Sequence, residues 1–229
     1  MKNKPKVIGF EGMHRSGKGT QIKLSKEYLE NEGYTTIIRR GEGTRRGLGQ
    51  EEYDPLSSWW KENYNYLFRT PNSPQETIEI ANTIYQRIVR ENNYDLIQQS
   101  KHAKSAILLD RSFISRFFMM KQCYPDISLE SALLVYHPKN HTLLKPVIPD
   151  LTFILRVDKD ELIRRCIINE EDTRKSEFRR QNIIKKYELF EGICESLSNE
   201  TQYPLRVIDG NKSIDEVQKE IQSSLLSLI

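Results

Sequence analysis

Apolar residues occur along this chain in two alternating patterns, short unbroken runs and spaced stripes. The runs lie at 7–10 (V-I-G-F), 34–38 (Y-T-T-I-I), 105–109 (S-A-I-L-L), 151–157 (L-T-F-I-L-R-V) and 205–208 (L-R-V-I). Short runs that are apolar on both sides read as strands covered on both faces. Between them the apolar residues are spaced as on one helix face. Residues 22–31 carry Ile22, Leu24, Tyr28 and Leu29, and Glu32-Gly33 stops them. Residues 74–99 carry Ile78, Ala81, Ile84, Tyr85, Ile88, Val89 and Ile97, and 113–124 carry Phe113, Phe117, Phe118, Met119 and Met120. Further helices are expected at 127–136, 159–168 and 213–228, with a long one carrying Ile183, Ile184, Tyr187 and Phe190. Alternating strands and helices predict a three-layer α/β/α fold around a five-stranded parallel sheet, with right-handed crossovers. Without repeats, low-complexity tracts or a linker, residues 1–229 are expected to form one domain.

Composition narrows the setting. Lys plus Arg number 35 against 32 Asp plus Glu, a net charge of +3, which does not favour a nucleic-acid surface. Cys123, Cys166 and Cys194 form no paired spacing, so reduced thiols are expected. The chain shows no signal-peptide core and no apolar run near the about 18 residues of a membrane span. A cytoplasmic protein without a membrane partner is the expectation. His137 and His141 lack neighbours at metal-ligand spacing and read as surface residues.

The chemistry concentrates where runs end. The first run leads into E-G-M-H-R-S-G-K-G-T, and a helical stripe follows. A loop between a strand and a helix start can turn successive backbone N–H groups inward around an anion. Gly12, His14, Arg15, Ser16, Gly17, Lys18, Gly19 and Thr20 are the expected nucleotide-binding residues, with the Lys18 ammonium reaching the outer phosphates. The second run ends in a loop at 39–47 holding Arg39, Arg40, Arg45 and Arg46 around Glu42. Arginine forks match phosphate oxygens in pairs, so this loop is a candidate clamp for a substrate phosphate. The third run delivers Asp110-Arg111-Ser112 to the same sheet edge, where Asp110 can hold Mg²⁺ through water. Arg174, Arg179 and Arg180 lie in a mixed-charge hinge at 169–180, suited to a lid closing over a transferring phosphoryl group. The aromatic segment 50–73 and the pair Phe117 and Phe118 are either packing or substrate-facing; such stripes more often pack.

Taken together and in order, these motifs resemble the P-loop nucleoside monophosphate kinases, most closely the thymidylate kinases. The resemblance runs over nearly the whole chain: F-E-G-x-x-x-x-G-K from Phe10, Asp110-Arg111 followed by Ser115, Pro149-Asp150-Leu151-Thr152, and Val207-Ile208-Asp209-Gly210. It implies transfer of the ATP γ-phosphoryl group to a nucleoside monophosphate with Mg²⁺, and a homodimer. By the same resemblance Arg15 bridges donor and acceptor, and Thr20 meets the α-phosphate. Arg39, Arg90 and Arg111 grip the acceptor, with Arg87 the near alternative to Arg90. Arg174, with Arg179 or Arg180, closes from the lid, and Gly210 lies beside the adenine. The chain departs from the pattern in several places. His14 stands for an Asp, and Gly19 for the Ser or Thr after the lysine. Arg39 through Thr44 replace R-E-P-G-G-T, Phe118-Met119-Met120 replace A-Y-Q, and 50–73 looks inserted. Two rival readings accompany this one. Asp110-Arg111-Ser112 also resembles a motif of the deoxynucleoside kinases, for which Glu42 would be the general base. The other rival is a nucleotide-binding module without turnover.

Overall fold

The structure is a computed structural model that describes residues 4–40, 76, 99, 101–133, 135–137, 142–144, 147–167, 173–198 and 203–229. Glu42, Arg87, Arg90 and segment 50–73 therefore lie outside the described residues. The elements are β1 (Lys6–Gly12), α1 (Lys18–Asn31), β2 (Thr35–Arg40), β3 (Ser105–Asp110), α2 (Phe113–Cys123), α3 (Leu129–Leu133), β4 (Val135–His137), β5 (Thr142–Leu144), β6 (Leu151–Arg156), α4 (Lys159–Ile167), α5 (Thr173–Ser198), β7 (Leu205–Asp209) and α6 (Ile214–Leu226).

All five apolar runs are strands of one parallel sheet, in the order β2-β3-β1-β6-β7. Strand β1 is central, paired Phe10 to Asp110 on one side and Gly12 to Leu155 on the other. Side chains alternate across the pleat, so the sheet has two cores. Ile8, Phe10, Leu108, Phe153, Leu155 and Ile208 point to the face covered by α1 and α6, meeting Ile22, Leu29, Ile221 and Leu225. The Phe10 and Phe153 rings lie 5.4 Å apart, and each is fully buried. Full burial of such a side chain contributes about 1.5–3 kcal/mol. The opposite face packs Ile154 with Phe113, Ile114 and Phe117 of α2 and Phe190, Ile193, Cys194 and Leu197 of α5.

Within that second core, burial pushes the Cys194 thiol up to about 12. Its thiolate fraction at pH 8 should be about 10³-fold below that of an ordinary cysteine. Peptide mapping after brief iodoacetamide treatment of the native protein is expected to find Cys194 unmodified. Labelling at the rate of the unfolded chain would contradict this packing.

Helix ends follow local chemistry. Gly33, at φ 82°, closes α1 as a left-handed terminus, with Gly33 N–H donating to Glu30 O and Tyr34 N–H to Leu29 O. Helix α6 opens with a reciprocal cap: Ser213 Oγ accepts from Glu216 N–H, and Ser213 N–H donates to the Glu216 carboxylate.

Two expectations need correction. The helix expected at 127–136 is only the short α3, and Val135–His137 instead pairs antiparallel with Thr142–Leu144. Val135 and Tyr136 favour extended backbone, and Pro138 biases His137 away from helix. The hinge expected through residue 180 ends by Thr173, where α5 begins. Residues 173–180 contain no glycine or proline to break a helix, so Arg174, Arg179 and Arg180 sit on its first turns.

Candidate active site

The chain passes from β1 to α1 through five residues, Met13 to Gly17. Helix α1 starts at Lys18, four residues before the apolar stripe that announces it. Gly17 makes this possible: at φ 95° it is the left-handed N-terminal residue, and its carbonyl accepts from Thr20 N–H and Gln21 N–H. Arg15 is also left-handed, at φ 65°, and Ser16 N–H folds back to Met13 O at 3.2 Å. Left-handed residues alternating with ordinary ones make a concave ribbon of amides. The ribbon sits at the positive end of α1, where an anion is stabilised.

Gly12 lets this loop lie against the sheet. A Cβ there would sit 2.6 Å from Leu155 O and 2.7 Å from Ser16 Oγ. Lys18 is 8% exposed, and its ammonium donates to Gly12 O at 2.7 Å and Met13 O at 2.9 Å. The cation is thus held across the mouth of the loop, while His14, Arg15, Gly17, Gly19 and Thr20 are exposed around it.

Strand β3 brings the second group. Asp110 pairs in register with Phe10 and with Arg40, so the carboxyl ends of β2, β3 and β1 place Arg39, Asp110 and the loop at one edge. This is the carboxyl edge of a sheet whose later strands lie on both sides of β1, the expected ligand crevice of a parallel sheet. Arg111 is left-handed at φ 82°, and its N–H donates to Phe10 O. Its guanidinium Nη1 donates to Ser115 Oγ at 3.3 Å.

A third group closes the other side. Gly210 N–H donates to Arg156 O, and a Cβ on Gly210 would meet Val157 Cγ2 at 2.6 Å and Ser16 O at 3.4 Å. The β7–α6 turn therefore leans directly on the loop.

The structure thus gathers Gly12, Arg15, Ser16, Gly17, Lys18, Gly19, Thr20, Arg39, Asp110, Arg111 and Gly210. It corrects Phe117, whose 3% exposure makes it a core residue. Phe118 is half-buried with its ring edge on Phe190. The burial of Phe117 follows from the strength of the apolar stripe, which packs α2 onto α5.

Two site residues were not singled out in the sequence. Glu11 is 1% exposed, and its carboxylate accepts from Ser112 N–H, Ser112 Oγ at 2.9 Å, Ser115 N–H at 3.2 Å and Ser115 Oγ at 2.8 Å. Burial pushes its pKa up, while the Arg111 charge and the serine donors pull it down. Arg165 of α4 donates to Glu161 at 2.7 Å, to Gly210 O at 3.1 Å and to Arg15 O at 3.4 Å. It joins the helix before residues 168–172 to both loops. Hydrogen bonds from Arg164 and Arg165 hold the half-buried Glu161 carboxyl down to about 2. A charged residue ending a buried strand is a usable signal for Glu11. Nothing in the sequence distinguishes Arg165 from a surface arginine.

Among the described residues, no group of three or more His, Cys, Asp or Glu side chains could hold a metal ion, and no helix is long and apolar enough to cross a membrane. A lone Asp110 beside an anion loop whose Gly19 brings no hydroxyl is a donor set that fits a largely hydrated Mg²⁺.

The sheet order, the amide loop with its lysine and the adjoining Asp-Arg corner define an α/β P-loop kinase fold. No protein-family model matches the chain. It is 26% identical to the thymidylate kinase of Thermoanaerobacter sp. (strain X514) over 220 residues, covering 95% of this chain and 96% of that one. It is 27% identical to the probable thymidylate kinase of Methanosphaera stadtmanae over 227 residues, covering 97% and 98%. The crystal structure of thymidylate kinase from Ehrlichia chaffeensis superposes with a TM-score of 0.61 at 21% identity over 98% of this chain and 99% of that one, a likeness of fold. Over nearly its whole length the chain is thus similar to thymidylate kinases, as a divergent sequence on the same fold.

Proposed function

We propose that this protein moves the γ-phosphoryl group of ATP onto the phosphate of a nucleoside monophosphate, dTMP or a related ribo- or deoxyribonucleotide, giving the diphosphate. The observation that supports it most is the adjacency of two anion-gripping corners on neighbouring strands. One is the amide loop with Lys18 after β1; the other is Asp110-Arg111 after β3. Two phosphates held side by side can react in line, and positioning removes much of the barrier. A monophosphate acceptor is already anionic, so no general base is required.

In this reading the loop amides and Lys18 bind the donor phosphates, and Arg15 meets the transferring group. Arg111 and Arg39 hold the acceptor, joined by Arg90 or Arg87. Arg174 and Arg179 close from the lid. Asp110 would hold hydrated Mg²⁺, which when bound offsets negative charge on the donor phosphates. Gly210 and the adjoining turn border the adenine. A cytoplasmic setting and a homodimer belong to the same proposal.

The test is ATP consumption with a panel of nucleosides and nucleoside monophosphates, for the parent protein and Glu42→Gln. The expected result is ADP formation that requires a monophosphate, fastest with a thymine or related pyrimidine, and a Glu42→Gln rate within about threefold of the parent. Turnover on nucleosides that vanishes in Glu42→Gln would assign a nucleoside kinase instead. No acceptor-dependent ADP across the panel would leave a nucleotide-binding module.

A further inference from the structure

We infer that Glu11 is a positioning residue for the acceptor side of the site: it fixes the Asp110-Arg111-Ser112 corner and, through Ser115, the direction of the Arg111 guanidinium. The inference deepens the proposed phosphoryl transfer and rests on it for the role of Arg111.

Glu11 is the penultimate residue of β1, directly after the uncharged run Val7–Phe10. An ionisable side chain buried to 1% exposure is costly unless its oxygens are fully engaged. Both oxygens are engaged, and every donor comes from one short stretch more than a hundred positions later. Oε1 accepts from Ser112 N–H, Ser112 Oγ and Ser115 N–H, and Oε2 accepts from Ser115 Oγ.

These are the amides at the start of α2. Ser112 is its N-terminal cap, yet the Ser112 side chain makes no cap bond. A helix start normally finds its acceptor on its own cap residue. Here the acceptor is supplied by the neighbouring strand, and it carries charge.

That cross-strand cap sits beside a strained corner. Arg111 has φ 82°, a conformation that a non-glycine residue adopts only when its surroundings impose it. Two anchors flank it. Arg111 N–H is tied to Phe10 O, and Ser112 N–H to Glu11. Ser115 then links the buried carboxylate to the working cation, since its Oγ donates to Glu11 Oε2 and accepts from Arg111 Nη1. The amide loop depends on none of these bonds. It is held instead by the Lys18 bonds to Gly12 and Met13, the turn from Ser16 to Met13, the Arg165 bond to Arg15 O and the Gly210 turn against Ser16. Losing the Glu11 carboxylate should therefore loosen one half of the site and spare the other.

Two measurements test this. The first is hydrogen exchange on Glu11→Gln. An amide cannot accept four donors, so peptides covering 110–116 should exchange at least about tenfold faster, with 13–20 unchanged. Equal exchange in both regions, or no change in either, would overturn the inference. The second is a double-mutant cycle on initial rates. Glu11→Gln should lower kcat/KM for the acceptor about 30-fold with the KM for ATP within about twofold, a loss of the size expected for a misplaced group. The same substitution in an Arg111→Ala background should cost less than about threefold, because Glu11 acts through Arg111. Additive losses would sink the inference.

Ser115→Ala keeps the helix and cuts the same link. If Glu11→Gln does not fold, Ser115→Ala takes its place in the cycle, with the same expected non-additivity. A parent protein inactive on every acceptor would defeat the functional reading alone. The exchange comparison would still decide whether Glu11 holds the corner.

Discussion

Lys18→Ala is expected to lower phosphoryl transfer by about 10³-fold or more while the protein stays folded. Removing one group aimed at developing charge costs about 10²–10³-fold in rate, and Lys18 is in addition a full positive charge at the donor phosphates. Its position fits that proposed role. It is the first helical residue after Gly17, nearly buried, with its ammonium already fixed on Gly12 O and Met13 O. An ammonium held by two neutral carbonyls can exchange them for phosphate oxygens, which attract it more strongly. The loss of stability should be small. Alanine favours the helix and the Met13 carbonyl is only part-buried, so the cost comes mainly from leaving the buried Gly12 carbonyl without its donor. A cost of about 1–2 kcal/mol shifts Tm by roughly 2–8 °C for a chain of this size. Single-turnover rates beside thermal melts check both halves. A rate within tenfold of the parent would remove Lys18 from the mechanism.

The parallel sheet was legible because its strands are buried on both faces and so appear as unbroken apolar runs. Each of the five runs became a strand at its expected place. Residues 127–136 failed for a local reason: Ala132 and Leu133 extend a helical stripe, and the extended preference of Val135 and Tyr136 wins only with a partner strand at Thr142–Leu144. The loop was legible too, since Gly17 and Lys18 mark it directly. What stayed hidden is the bracing. Glu11 finds Ser112 and Ser115 across 101 and 104 positions, and Arg165 finds Arg15 across 150. Such pairs exist only once β1, β3 and α4 have been brought together. Local propensity, which decides strands and helices, carries no information about them. The residues of the loop could be read in the sequence, whereas the residues that hydrogen-bond to it and to the neighbouring corner could not.

Gly12→Ala is expected to damage the protein more broadly than any other single change in the loop, in stability as well as rate. Two costs combine. The backbone at φ 145° is one that a side chain makes strained, at about 1–3 kcal/mol. The new methyl would also sit 2.6 Å from Leu155 O, a backbone atom of the paired strand β6, and 2.7 Å from Ser16 Oγ. Overpacking of that kind adds about 1–3 kcal/mol, because a strand carbonyl inside a five-stranded sheet cannot step aside. The total predicts a Tm lower by roughly 5–20 °C. Any relaxation must lift the loop off the sheet, carrying the Gly12 and Met13 carbonyls that hold Lys18, so nucleotide affinity should fall along with stability. Gly19→Ala is the matched control. It lies in the first turn of α1 with nothing within 4 Å of a new Cβ. Replacing a helical glycine there should raise stability by about 0.4–1 kcal/mol. Melting both variants with and without ATP separates fold from binding. If Gly12→Ala melts within 2 °C of Gly19→Ala, the close approach of β1 to β6 is not what shapes the phosphate loop.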